Sequence, residues 1–127
     1  MKTIFLFLSL VLLSGCGDSL TEFELDEEFK IKYGEKVRIN GAPFEIEFID
    51  VAEDSRCPRN LVCVWAGNAE IVLAVADERR SLNTTLDPKS FDLYGYKVDL
   101  IRIEPYPEDE NEIPKEIYEA TLSVGKL

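Results

Sequence analysis

The fold class is decided by the stretch FKIKYGEKVRINGAPFEIEFIDV, which covers residues 29–51. Apolar and charged side chains alternate through it, and this period of two is typical of strands that bury one face. Gly34-Glu35 and Asn40-Gly41 interrupt the alternation, and Asn-Gly is a strong hairpin signal because both residues tolerate a positive φ. The stretch therefore predicts three short strands joined by tight turns.

The alternation continues towards the C-terminus. It slips by one residue at Ile49 and again at Ile101, and one extra residue in a strand is what a β-bulge inserts. Residues 69–76 are almost continuously apolar and rich in β-branched side chains, which favours a strand buried on both faces over a helix. Residues 80–86 give a weaker strand and residues 118–124 a clean one. About seven strands predict an all-β fold, either an antiparallel β-sandwich or a barrel.

Two later segments lack this pattern. Residues 87–95 are interpreted as a loop or a single helical turn. Residues 104–114 combine three prolines with five acidic side chains, which is typical of a solvated loop. Neither segment is expected to add a strand.

The first fifteen residues have the order of a secretory signal. Lys2 precedes an apolar run over residues 4–13, and a run of this length is too short to span a bilayer, which takes about 20 residues. The run ends in Leu13-Ser14-Gly15-Cys16, which resembles the lipobox of bacterial lipoproteins. The resemblance implies a lipid on the thiol of Cys16 and cleavage before that residue. The alternative is a buried N-terminal helix with an incidental cysteine.

These features divide the chain into a signal peptide over residues 1–15, a lipidated tether over 16–28 and one β-domain over 29–127. An ordered first strand at residues 22–25 is the alternative to the tether. The net charge of −11 opposes binding of nucleic acid, or of an anionic membrane surface, through the body of the protein. We expect export and lipid anchoring to the inner or outer membrane, with the domain in the periplasm or at the cell surface.

The remaining two cysteines form an even pair once Cys16 is assigned to lipid. In an oxidising compartment Cys57 and Cys63 are expected to be bridged, and the five residues between them let their Cα atoms approach closely enough. Loop-closure entropy gives so small a ring about 2 kcal/mol of stabilisation. A redox pair usually has the closer C-x-x-C spacing, and a metal site would need further ligands in a chain without histidine.

The cysteines lie in two short motifs, DSRCP at residues 54–58 and CVWAG at residues 63–67. Together they resemble a pattern found in a family of small exported bacterial proteins of uncharacterised function, and the likeness extends over residues 44–124. The resemblance implies a single exported β-domain, often lipidated, with the cysteine pair bridged. It implies no catalytic residue and no ligand.

Enzymatic chemistry is poorly supported by the composition. The absence of histidine excludes a Ser-His-Asp triad, and no glycine-rich phosphate loop is present. Paired carboxylates suffice for a glycosidase, but Glu45 and Glu47 lie on the polar face of a strand. The acidic stretches at 53–54 and 108–112 lack the spacing of a calcium loop. We therefore expect no enzyme activity, no cofactor and no metal.

Arg56 and Trp65 are the candidate binding residues, because arginine and tryptophan are enriched at interface hot spots. In that role both would be exposed beside the disulfide. In the structural alternative Trp65 packs on the disulfide and Arg56 holds loop carbonyls or nearby acids. The leading hypothesis is a non-enzymatic envelope lipoprotein that binds a protein or an envelope polymer. A purely structural lipoprotein, an inhibitor of an exported protease with the loop as a rigid wedge, and a carboxylate hydrolase are the alternatives.

Overall fold

A computed structural model of the chain describes residue 15 and residues 20–127. Across these residues it contains nine strands and one turn of 3-10 helix, at Lys115–Ile117. The strands are β1 (Thr21–Glu24), β2 (Glu28–Lys32), β3 (Lys36–Asn40), β4 (Glu45–Asp54), β5 (Ala69–Val75), β6 (Glu78–Asn83), β7 (Ser90–Leu93), β8 (Tyr96–Glu104) and β9 (Glu119–Lys126).

The strands form two sheets that face each other. One sheet has the order β1-β3-β4-β5-β6 and the other the order β2-β9-β8-β7. All strand pairs are antiparallel except β1 with β3. The sheets are not closed into a barrel, so the all-β prediction is confirmed and the architecture is a sandwich.

The core is built from the inward face of each strand. β2 and β3 alternate strictly between buried apolar and exposed charged residues, as the sequence predicts. β5 is a strand, but it buries one face rather than both, because every second residue is only half-buried. Removing an aliphatic side chain from water stabilises the fold by roughly 1.5–3 kcal/mol. The largest fully buried side chains are Phe48, Ile31, Ile39, Ile46, Ile71, Leu73, Leu82 and Leu122.

Both predicted bulges are confirmed. The register of β4 against β5 shifts between Phe48 and Asp50, and that of β8 against β9 shifts between Leu100 and Arg102. In each case an isoleucine, Ile49 or Ile101, occupies the extra position. The bulges keep the apolar face directed inward on both sides of the slip. A third shift, after Val51 in β4, was not predicted.

One strand, β7, lies where the sequence predicted none, and β1 lies where a strand was only the alternative to a tether. β1 pairs with β3, and its Phe23 ring stacks on Phe29 with centroids 4.7 Å apart, so the residues from Thr21 onward belong to the domain rather than to a tether. β1 coincides with the ordered-strand alternative. β7 lies inside the segment interpreted as a loop or helical turn. Both are short edge strands that bury few side chains, which explains their weak signal. The predicted signal peptide, apart from residue 15, and the predicted lipid site Cys16 lie outside the described residues.

The two ends of the sandwich differ. Two long loops, residues 55–68 between β4 and β5 and residues 105–118 between β8 and β9, lie together at one end, which we call the loop end. The opposite end consists of tight turns, including Ala76-Asp77 and Tyr94-Gly95, where φ is positive. Within the described part of the chain, no helix has the length and apolar character needed to cross a membrane.

Candidate functional site

The loop end is organised around Arg56, whose side chain is buried with 8% of the residue exposed. Its Nε and one terminal nitrogen each donate a hydrogen bond of 2.8 Å to the Asp54 carboxylate. The terminal nitrogens also donate to the carbonyl of Ile103 at 2.7 Å and to that of Pro105 at 2.9 Å. Asp54 ends β4 and Ile103 lies near the end of β8, so the guanidinium joins the two sheets.

Tyr118 completes this cluster by donating a hydrogen bond of 2.6 Å to Asp54. Burial opposes ionisation of Asp54, but the hydrogen bonds from Arg56 and Tyr118 outweigh it and hold the pKa of Asp54 below its usual range. Burial, and then the hydrogen bond to the carboxylate, raise the pKa of Tyr118 far above its usual value. Asp54 therefore stays ionised and Tyr118 stays protonated near neutral pH. The cluster therefore stabilises the loop end through charged hydrogen bonds.

The two long loops are also bonded directly to each other. The Tyr106 hydroxyl donates to the carbonyl of Cys57 at 2.7 Å, and the Arg59 amide donates to the carbonyl of Pro107 at 3.1 Å. The guanidinium carbons of Arg56 and Arg59 each lie 5.2 Å from the centre of the Tyr106 ring. Cation–π contacts of this kind are worth about 0.5–2 kcal/mol. The base of loop 55–68 is therefore held firmly against loop 105–118.

The disulfide between Cys57 and Cys63 is formed, with the Cα atoms 6.0 Å apart, which confirms the predicted bridge. Beyond the fixed base, the ring and the residues after it expose apolar side chains to solvent. We call this group the apolar tip, and it consists of Leu61, Val62, Val64 and Trp65. The two valines are fully exposed and half of Trp65 is exposed. Residues 55–68 contain no acidic side chain, although the chain as a whole has 25.

The two candidate binding residues therefore have different environments. Arg56 has the environment expected of a structural residue, because its guanidinium is buried and bonded to internal acceptors. This corrects the prediction that Arg56 is free to meet a partner. Trp65 is not buried, and it lines a shallow depression together with Cys57, Cys63 and Tyr106. Sequence reasoning missed the valines of the tip, although apolar residues inside a predicted loop are a signal of surface exposure.

A groove of about 520 Å³ lies next to the Arg56 cluster, and residues 109–113 contribute to its lining. Asp54, Arg56 and Tyr118 also line the groove, and their polar atoms are already paired with one another. Over residues 20–127, every buried side-chain nitrogen and oxygen has a partner, and no group of three or more acidic or cysteine side chains is arranged to hold a metal ion.

Comparison of the chain with models of protein families, with curated proteins and with solved structures gave no match. The resemblance of the DSRCP and CVWAG motifs to a family of small exported proteins therefore stays a prediction.

The first prediction concerns the charge of Asp54. Asp54→Asn should lower the free energy of unfolding by about 3 kcal/mol near neutral pH, as expected when one partner of a buried ion pair is lost. The pKa of Asp54 is depressed in the folded state, so its carboxylate contributes stability above the unfolded-state pKa of about 3.9 and loses it as the pH falls through the folded value. Denaturant titrations should therefore find a full deficit above about pH 5 that shrinks below about pH 4.

Asp50→Asn is the matched control, because Asp50 also forms an ion pair, with Lys115 at 2.7 Å, but on the surface. Exposed pairs contribute about 0–1 kcal/mol, so this variant should lose much less stability. Equal losses at the two positions would show that the Arg56 cluster does not hold the loop end.

The second prediction concerns Gly67, where loop 55–68 returns to β5. Its φ is +76°, and a Cβ there would overlap the Ser55 carbonyl oxygen and lie 2.7 Å from the Arg56 Cα. Gly95 has a similar φ of +81° but open space around it. Gly95→Ala should lower the free energy of unfolding by about 1–2 kcal/mol, because alanine is strained in a left-handed conformation. Gly67→Ala should lower it clearly more, and thermal denaturation of both variants measures the difference. A smaller loss at Gly67 would contradict the close approach.

Proposed function

We propose that the chain is an exported protein of the cell envelope, anchored by lipid on Cys16, and that its β-sandwich is a non-enzymatic binding domain. The contact element is the apolar tip. The observation that carries the proposal is the full exposure of Val62 and Val64 next to a half-exposed Trp65. The lipobox supports the anchor, and the formed disulfide is what an oxidising compartment favours.

The tip is displayed on a rigid support. The disulfide closes the ring, and the bonds of Arg56 and Tyr106 fix its base. Contact residues that are already ordered lose less conformational entropy on binding. Covering an exposed valine gains roughly 1.5–3 kcal/mol. A small rigid loop of this kind therefore gains affinity from few side chains.

The chemistry of the tip restricts what it contacts. Its four side chains carry no charge and offer a single hydrogen-bond donor, the Trp65 indole. Clustered apolar residues on a surface mark sites of protein or membrane contact. The bound envelope component therefore presents an apolar surface to the tip.

The non-enzymatic character is supported by the cluster at the loop end. Asp54 and Tyr118 are held in the ionisation states that they already prefer in water. A general acid or base works best with a pKa near the operating pH, and the environment shifts both groups away from it.

The anchor can be tested by mass spectrometry of the native protein. The mature chain should begin at Cys16 and carry acyl chains, and Cys16→Ala should release the protein or stall its processing. More than one chain is needed for stable anchoring, because a single one binds reversibly. A mature, membrane-free protein that retains Met1 would refute the lipoprotein assignment.

The contact element can be tested in intact cells with a photoreactive residue at position 64. Irradiation should give a several-fold higher yield of crosslinked adducts than the same residue at position 94, because Tyr94 is 63% exposed but lies at the opposite end. Opening the ring with Cys57→Ser and Cys63→Ser together should reduce the yield at position 64. Equal yields at the two ends would refute the tip as the contact element.

A further inference from the structure

The direction of β1 shows from which side the preceding chain reaches the domain. β1 runs parallel to β3, with Thr21 opposite Val37, and β3 runs antiparallel to β4, with Val37 opposite Ile46. β4 runs towards the loop end, so β3 and β1 run away from it. The chain therefore enters β1 from the side of the loop end.

The distance from the anchor to the domain is short. Only five residue steps separate Cys16 from Thr21, and they span at most about 18 Å when fully extended. Thr21 lies level with Ile46 and Val75 across the sheet. Along β5, Val75 is six residue steps, or about 20 Å, from Ala69 at the base of loop 55–68. Even when it is fully extended along the direction of β1, a segment of this length reaches no further than about the level at which loop 55–68 leaves the sheet.

An anchor this close places some surface of the domain against the bilayer. The outer faces of the sheets are charged; Lys30, for example, pairs with Glu104 and Glu119 across one of them. Charged groups lose favourable hydration on entering a membrane interface, whereas tryptophan is enriched there and aliphatic side chains gain from burial. The apolar tip lies at the end from which the chain arrives, and it meets both conditions.

We propose that the apolar tip docks into the surface of the same bilayer that holds the lipid of Cys16. This proposal rests on the lipid anchor of the proposed function. The lipid and the tip then form two membrane contacts on one small domain. The tip fixes the orientation of the sandwich, with its tight-turn end directed away from the membrane. Two weak membrane signals together anchor far more firmly than one.

The neighbouring loop 105–118 determines which lipid composition suits this contact. It brings five acidic side chains to the loop end, namely Glu108, Asp109, Glu110, Glu112 and Glu116. Anionic lipid repels such a group over about 10 Å at moderate ionic strength. Docking should therefore be strongest on a zwitterionic bilayer, and it should weaken as anionic lipid is added at low salt.

Trp65 reports on the contact directly, because it is the single tryptophan of the chain. The native lipidated protein would be reconstituted into phosphatidylcholine vesicles that contain lipids brominated near the headgroup end of the acyl chains. Trp65 fluorescence should shift to shorter wavelength and be quenched. Val62→Ser with Val64→Ser should weaken the quenching several-fold, while co-flotation shows that the protein remains on the vesicles. Both valines are fully exposed, so this variant keeps the fold.

The matched control moves the reporter to the other end by combining Trp65→Phe with Tyr94→Trp. The same lipid anchor then holds a tryptophan at the tight-turn end, which should not be quenched. Equal quenching of the two reporters would overturn the orientation. If Trp65 is not quenched on protein that floats with the vesicles, docking into the bilayer is refuted. A crosslinked protein adduct at position 64 would in that case still support the proposed binding function, with a protein as the partner. Protein that lacks acyl chains would instead refute the proposed function.

Discussion

A single buried guanidinium holds the two sheets together at the loop end. The ladder between β8 and β9 ends at Glu104, so the carbonyl of Pro105 has no strand partner, and it accepts a hydrogen bond from Arg56 instead. A buried charge is tolerated only when its partners are complete, and the Asp54 carboxylate provides the opposite charge in a two-bonded geometry. Asp54 is the last residue before loop 55–68, and Arg56 is the second residue of that loop. Its position relative to loop 105–118 therefore depends on Arg56.

This arrangement separates the residues that stabilise the loop end from those that meet solvent. Arg56, Asp54 and Tyr118 use their polar atoms internally. The Tyr106 ring contacts the guanidinium groups of Arg56 and Arg59, and its hydroxyl donates to the carbonyl of Cys57. None of the tip side chains takes part in these bonds. The tip is therefore free to change without loss of the fold, whereas the base is not.

The sequence allowed much of the sandwich to be predicted, because alternation reports burial directly. Even the bulges at Ile49 and Ile101 were visible, since a slipped register must keep the apolar face inward. β1 is only an alternative in the sequence and β7 is not predicted, because edge strands bury little; β7 buries only Leu93. The ion pair of Arg56 with Asp54 is local and matches the structural alternative, but the sequence could not identify its carbonyl acceptors, because they lie 47 and 49 residues away. The exposure of Trp65 also depends on how the loop is fixed.

The apolar tip is best understood against the charge of the rest of the molecule. Every edge strand carries charged side chains, such as Glu22 on β1, Lys30 on β2, Arg79 on β6 and Asp92 on β7. Charged edges discourage pairing with other chains, and a net charge of −11 opposes non-specific association. Apolar residues left in a flexible loop would fold back onto the nearest apolar surface. The disulfide and the Arg56 base prevent this, so the apolar surface of the tip stays available to a partner or to the bilayer.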